Sequence, residues 1–286
     1  MDSHQTRRLL RAEAGLSSRL GLGTHALHWL FSGGARQGLL RLAYDLGIRH
    51  FDTAPSYGAG LAEREIGRFC LQHRSNLVVA TKFGLAPGRL AASLPGGAYL
   101  SAAAGAALRA LRLRRPASGA PVGDFSAAAM QQSVEDSLRR LRTDYIDVLY
   151  LHAPRRDSLG NVEPLLEALA SLRQAGKVRR VGISGLAAEC APIARGYPEL
   201  AEMLQIELLA DSQGFPDIVS LPPATAVASW ELPGSRAPAT GFTLSRHFER
   251  LQRALPAGLV LLSTPDGRAI RQASDFFSQE LSGAGA

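Results

Sequence analysis

Four ionisable side chains stand where short apolar runs of this sequence give out. Asp52 ends "IRHFD", and Tyr57 follows it five residues later in "TAPSYG"; Lys82 ends "VVATK" and His152 ends "DVLYLH". None is a good nucleophile as it stands, but together they suit proton transfer. A free tyrosine has a pKa of roughly 10 and is a poor donor at neutral pH. An ammonium group within hydrogen-bonding reach stabilises the phenolate and lowers that value. Lowering it by roughly 2 corresponds to about 2.7 kcal/mol. Asp52 would keep Lys82 charged and aimed. His152 would orient a substrate oxygen or share its proton with Tyr57. Such a set protonates an oxygen while another agent delivers hydride to carbon. Taken singly, the residues are bland: a structural ion pair, a core histidine, a turn tyrosine. Their joint occurrence at successive strand ends argues for chemistry.

Those strand ends must be brought to one place. Apolar runs predict strands at 18–24, 48–54, 76–84, 145–153 and 178–184, with later candidates at 202–208, 224–230 and 258–264. Amphipathic stretches predict helices at 35–47, 61–73, 126–143 (with Ser126 as its cap), 162–177, 188–196, 244–256 and 267–277. Strands that are apolar throughout belong to parallel sheets covered on both faces. Roughly eight strand–helix units suit a (β/α)8 or TIM barrel, in which all strand ends meet at one mouth. A doubly wound sheet would want a glycine fingerprint after its first strand. "GLGTHALH" lacks G-x-G-x-x-G. One α/β barrel domain over 1–286 is therefore expected, with 1–17 as an N-terminal extension and 85–125 as an inserted loop rich in Ala, Gly and Arg. The repeat is weakest at 211–243, which carries many Pro and Gly. A loop as long as 85–125 is usually functional or disordered.

Composition narrows the classes. The chain has 286 residues, 46% hydrophobic and 20% charged, as in an ordinary folded domain with a large core. Its formal net charge of +7 comes mostly from scattered Arg, and no zinc-finger spacing or RNA-binding aromatic signature accompanies it. No nucleic-acid partner is expected. "RALRLRRP" (109–116) reads as the solvated face of a short helix rather than a steering patch for anions. Cys70 and Cys190 lie far apart without metal or CxxC spacing, so neither a disulfide framework nor a metal site is expected. This usage fits a reduced, cytoplasmic setting. "MDSHQTRRLLRAEAG" has no apolar secretory core, and no run approaches 18 apolar residues, so neither a leader nor a membrane span is expected.

The motifs "FDTAPSYGAGLAEREIG", "VVATKFG", "SVEDSLRRLRTDYIDVLYLHAP", "LRQAGKVRRVGIS" and "LQIE" resemble the aldo-keto reductase superfamily over roughly 18–84 and 126–208. The resemblance implies an aldo-keto reductase-like barrel that binds NADP(H), with NAD(H) as the second choice, without a Rossmann domain. It implies a catalytic tetrad of Tyr57, Lys82, Asp52 and His152. It places Gly23 and Thr24 on the nicotinamide side, and Ser184 and Gln205 on the nicotinamide carboxamide. Gly185 stands where the family usually has Asn. Around the adenosine 2′-phosphate, Ser263 and Arg268 match the family spacing. Leu262 replaces a basic residue there, and Gln272 takes an Asn position. Trp230 falls near the usual aromatic stacking position. "HALHWLF" (25–31) would form a wall of the substrate pocket with Trp29, beside Tyr57 and His152, though Trp29 and Phe31 equally suit the core.

The function expected is reduction of a small aldehyde or ketone. A second reading, suggested by the likeness of "VGISGL" to galactose and fucose dehydrogenases, is oxidation of an aldose to its lactone. A third is a catalytically weak cofactor-binding sensor or auxiliary subunit, which the Gly185 and Leu262 departures would suit. Substrate choice lies in loops, so the physiological substrate is not legible, and neither is the oligomeric state.

Overall fold

The computed structural model describes residues 19–85, 123–207, 225–231, 248–249 and 258–283. Eight parallel strands close into a barrel in chain order. They are β1 (Leu20–Gly23), β2 (His50–Asp52), β3 (Val78–Phe83), β4 (Ile146–His152), β5 (Val178–Gly185), β6 (Met203–Glu207), β7 (Thr225–Glu231) and β8 (Leu259–Ser263). β8 returns to β1, with Leu20 opposite Val260 and Gly23 opposite Ser263. All eight expected strands are present, six of them shorter than their apolar runs, while β5 runs one residue further and β7 is shifted by one. Six helices follow strands among the described residues: α1 (Gly33–Asp45), α2 (Leu61–His73), α3 (Ala127–Leu141), α4 (Glu163–Gln174), α5 (Ala187–Gly196) and α6 (Gly267–Gly283). The stretches 1–17, 211–224, 232–243 and almost all of 85–125, with 109–116 in it, lie outside the described residues. So does the expected helix at 244–256, apart from Phe248 and Glu249, which are helical.

The strand periodicity explains the two cores. Alternate side chains on a strand face opposite ways. Ala80, Val148, Tyr150, Met203, Leu259 and Leu261 form one cluster, which fills the barrel. Their chain neighbours Val79, Leu149, Leu151, Val260 and Leu262 join the larger cluster that the helices cover. Both faces are dry, so the strands read as unbroken apolar runs rather than as alternating ones.

Polar side chains hold the layers in register. The carboxylate of Asp147 on β4 accepts from Arg74 at 2.7 Å, from Arg179 on β5 at 2.8 Å and from the Val79 amide on β3 at 2.9 Å. One group thus ties three neighbouring strands. Ser32 and Ser126 cap α1 and α3 by accepting from the amides three residues on, at 3.0 and 3.2 Å, which supplies an orphan donor with a partner. Cys70 and Cys190 are buried and unbridged. Among the described residues, no helix is long and apolar enough to cross a membrane. Among the described residues, no group of three or more His, Cys, Asp or Glu is placed to hold a metal ion either.

α2 and α3 meet backbone to backbone. A Cβ on Gly67 would stand 2.2 Å from the Arg140 carbonyl oxygen and 2.9 Å from the Leu141 carbonyl carbon. Helix propensity favours Ala over Gly by only about 1 kcal/mol, whereas forced overlap in a packed interior costs about 1–3 kcal/mol or more. The overlap should win. Gly67→Ala is expected to lower the unfolding free energy by roughly 1–2 kcal/mol, read from urea denaturation; an unchanged or raised midpoint would show that the helices part easily here.

Candidate active site

The C-terminal ends of the strands bring the expected residues together. Asp52 closes β2 and is 2% exposed, and Lys82, the penultimate residue of β3, is 1% exposed. The Lys82 ammonium donates to Asp52 Oδ1 at 2.7 Å, to Oδ2 at 2.6 Å and to the Thr53 carbonyl at 3.0 Å. Burial pushes the Asp52 carboxyl upward; the Lys82 charge and hydrogen bond, and a hydrogen bond from the Gln205 side chain, pull the other way.

Tyr57 lies on the turn between β2 and α2, half-buried above this pair. Lys82 Nζ stands 5.0 Å from the centre of its ring. His152, the last residue of β4, meets the same ring edge-on with centroids 5.9 Å apart. Burial, then the positive charge of Lys82, then His25, lower the His152 pKa to about 3. The imidazole is therefore neutral throughout the physiological range.

The turn that carries Tyr57 is fastened from below. Glu63 in the first turn of α2 is fully buried, and it accepts from Thr81 Oγ1 at 2.7 Å and from Arg140 at 2.5 Å. Thr81 is the chain neighbour of Lys82, so this bond couples the Tyr57 turn to the Lys82 strand. Two residues on, buried Glu65 takes Arg36 at 2.9 Å and Gln37 at 2.7 Å from α1. Neither glutamate was singled out from sequence. The available signal was two acidic residues at 63 and 65 beside the apolar Leu61, Ala62, Ile66 and Phe69 of "LAEREIGRF".

The remaining expected residues divide into two groups. Gly23 pairs with Asp52 on one side and Ser263 on the other. A Cβ on Gly23 would meet Ser263 Oγ at 2.0 Å, so glycine is what lets the two strand ends pack here. The amide and hydroxyl of Thr24 both donate to the Asp52 carbonyl at 2.9 Å. Ser184 is buried at the end of β5, opposite His152 and Gln205. Gln205 is buried as well, and its Oε1 has no hydrogen-bond partner. Arg268 and Gln272 instead lie exposed on α6. The Arg268 side chain is 92% exposed and bonds to Asp266, its guanidinium reaching the carboxylate at 3.3 and 3.4 Å. Gly185, where the family usually has Asn, has a physical reason: a Cβ there would press on the Ala153 Cα at 3.2 Å. The Trp230 side chain lies outside the described residues.

Beyond "GLGT", the chain forms a short 3-10 helix, His25–Trp29. Trp29 is half-buried, 6.1 Å between ring centroids from His25, while Phe31 is 78% exposed and belongs to no core. His25 stands edge-on to Tyr57 at 4.9 Å. Below the Asp52–Lys82 pair lie two further polar residues that sequence did not single out: Tyr150, 6.0 Å by its ring from Lys82 Nζ, and His50. The Tyr150 hydroxyl and His50 Nε2 have no hydrogen-bond partner. They read as ordinary strand residues because nothing local distinguishes an inward tyrosine or histidine from an outward one.

A model of the aldo/keto reductase family matches residues 19–210. Over 185 residues the chain is 32% identical to the aldo-keto reductase YhdN of Bacillus subtilis, covering 62% of this chain and 46% of that protein. Over 247 residues it is 31% identical to D-threo-aldose 1-dehydrogenase of a Pseudomonas species, covering 80% and 63%. The chain spans about half the length of the curated relatives it matches. Among solved structures, the glycerol dehydrogenase of Gluconobacter oxydans shares the fold with a TM-score of 0.61 at 24% identity, over 91% of this chain and 86% of that one.

The buried histidine makes stability depend on acid. Burial, with the Lys82 charge adding, lowers the His50 pKa from 6.5 to about 3. An unfolded histidine takes up a proton near 6.5, whereas this one waits until about 3. The unfolded state therefore binds more protons across that window, and stability falls as pH falls through it. His50→Asn should flatten the plot of unfolding free energy against pH between about 6 and 4 by up to roughly 1.4 kcal/mol per pH unit; an unchanged slope would place the acid sensitivity elsewhere.

Proposed function

The chain belongs to the aldo/keto reductase family, and we propose that it is an NADP(H)-dependent oxidoreductase, built as a single barrel domain, that interconverts a carbonyl and its alcohol. One observation carries this reading. The Lys82 ammonium is buried, held by both oxygens of Asp52, and 5.0 Å from the centre of the Tyr57 ring.

The roles follow from charge. A carbonyl carbon that receives hydride leaves negative charge on its oxygen, and Tyr57 donates a proton to that oxygen. Lys82 stabilises the phenolate left behind, which makes the phenol a usable acid near neutral pH. Asp52 fixes the ammonium beneath the turn. His152, neutral down to about pH 3, donates or accepts a hydrogen bond at the substrate oxygen and orients it; it is not the proton source. In the oxidative direction the same phenolate takes the alcohol proton.

A nicotinamide dinucleotide, when bound, supplies the hydride that no side chain here can supply. The residues present fit it. The unpartnered, buried Oε1 of Gln205 suits an amide N–H donor, and Ser184 sits beside it in register. Gly23 and Thr24 border the same end of the barrel. Ser263, Arg268 and Gln272 stand at the start of the last βα unit, where Arg268 would exchange Asp266 for a ribose phosphate. Leu262 leaves that phosphate without a second base, so NAD(H) is the alternative cofactor.

A sugar 1-dehydrogenase is the second reading. It is favoured by "VGISGL" and by the D-threo-aldose 1-dehydrogenase likeness, which extends over 80% of this chain. Reduction of nitrobenzaldehyde and oxidation of free aldoses, followed by nicotinamide absorbance, separate the two. Turnover of either disposes of a purely sensory role.

Tyr57→Phe removes the acid and leaves the cofactor contacts alone. Its kcat should fall by about 10²- to 10⁴-fold, while NADPH affinity, read by quenching of tryptophan fluorescence, stays near the wild-type value. Retained turnover would end the assignment.

A further inference from the structure

Beneath the Asp52–Lys82 pair the barrel interior carries polar groups that the proposed chemistry does not use. Tyr150 stands opposite Lys82 in the β3–β4 register and is fully buried. Its ring lies across Gly182 of β5, where a Cβ would stand 2.6 Å from Cε1 and 2.8 Å from Cδ1. Glycine at 182 thus makes the room that the ring fills, beside Ala80, Val148 and Met203. His50 lies two residues before Asp52 on β2, hence on the same face, and is 2% exposed.

Two atoms there have no protein partner, the Tyr150 hydroxyl and His50 Nε2. Both sense the pair. Burial, then the Asp52 charge, raise the Tyr150 pKa well above its ordinary value, so the phenol keeps its proton and is a donor. Burial, then the Lys82 charge, keep the His50 ring neutral down to about pH 3, and a neutral imidazole has one nitrogen that accepts. A buried donor or acceptor without a partner is unfavourable, and buried polar groups are nearly always bonded. Asp52 can take one more donor. Its oxygens offer about four lone-pair sites; two bonds come from Lys82 and one from Gln205. A buried water typically makes about three hydrogen bonds to such groups.

We infer that this part of the barrel is a hydration site, where one buried water accepts from the Tyr150 hydroxyl and donates to His50 Nε2 and to an Asp52 oxygen, and that Tyr150 is thereby a positioning residue for the pair. The effect on Tyr57 follows from sign. Its phenolate is stabilised by the Lys82 charge and opposed by the Asp52 charge. A water whose positive end meets the carboxylate offsets part of that opposition and favours the phenolate. This rests on the Tyr57-centred reading above and adds a control on its proton donor. The charged and titratable groups around the water and Tyr57 are His25 beyond β1, His50 and Asp52 on β2, Lys82 on β3, His152 on β4 and Arg180 on β5.

Tyr150→Phe keeps the ring over Gly182 and removes one O–H. A crystal structure of the wild type that resolves solvent should show a water about 2.7–3.2 Å from Tyr150 Oη, His50 Nε2 and an Asp52 oxygen; a dry interior overturns the inference. The urea midpoint of Tyr150→Phe should fall by about 0.2–0.5 M, because a bonded hydroxyl is lost. An unchanged or raised midpoint marks the hydroxyl as an orphan and overturns the hydration site. Tyr57 ionisation is read as the tyrosinate absorbance of each protein minus that of its Tyr57→Phe counterpart, which removes the other titrating groups from the signal. In Tyr150→Phe it should move up by about 0.5–1 pH unit, and alcohol oxidation at neutral pH should fall about three- to tenfold and recover at higher pH. A lower midpoint with unmoved ionisation shows a merely structural hydroxyl and overturns the positioning role. In a protein that turns over no substrate, the absorbance titration still decides this inference while the catalytic reading fails. Tyr57-dependent turnover with an unmoved titration sinks this inference alone.

Discussion

The arrangement at the barrel mouth depends on one buried ion pair. Lys82 and Asp52 are almost fully enclosed, and an isolated charge in such a place is strongly unfavourable. Each makes the other tolerable, and the ammonium also takes the Thr53 carbonyl. Removing one partner from a buried pair leaves the other uncompensated and typically costs about 3–5 kcal/mol. Four strand ends converge on the pair. β2 supplies the carboxylate and β3 the ammonium, while β1 grips the Asp52 carbonyl through Thr24. β6 reaches it through Gln205. Any substrate chemistry at Tyr57 inherits its electrostatics from this pair.

Around it, the fold uses buried carboxylates as fasteners rather than as reagents. Glu63 ties the Tyr57 turn to β3 and α3, Glu65 ties the same helix to α1, and Asp147 ties β3, β4 and β5. The division of labour is a matter of place. Asp147 and the glutamates face the helix layer and meet arginines. Asp52 faces the barrel interior and meets the lysine whose other neighbours are aromatic. Arginine suits the first role because its fork satisfies several acceptors at once, and lysine suits the second because a compact point charge fits beneath a phenol.

Most of the strand layout was legible, because an unbroken apolar run such as "DVLYLHA" has few other uses. The helices were legible from their period and from Ser126 as a cap. The meeting of Asp52, Tyr57, Lys82 and His152 was legible because strand ends in a parallel barrel share a mouth, so residues distant in sequence become neighbours by topology alone. What escaped detection depends on direction. His50 and Tyr150 point into the barrel, Glu63 and Glu65 into the helix layer, and His25 across to Tyr57; a one-dimensional string does not record where a side chain aims. Gly185 was legible as a departure, but its reason, the close approach of Ala153, is a tertiary contact. Phe31 was read as wall or core and stands in solvent, since an apolar residue after a helical turn has no obligation to be buried.

Ring closure between β8 and β1 carries a consequence for synthesis. The pairing of Leu20 with Val260 joins residues 240 positions apart, so β1 cannot find its final neighbour until β8 has left the ribosome. Until then the nascent sheet has two open edges, and open edges invite pairing with other chains. Contacts of such long sequence separation also form slowly. Translation speed and chaperone supply, rather than the strength of the finished barrel, should therefore set how much of this protein a cell or an expression host obtains in usable form.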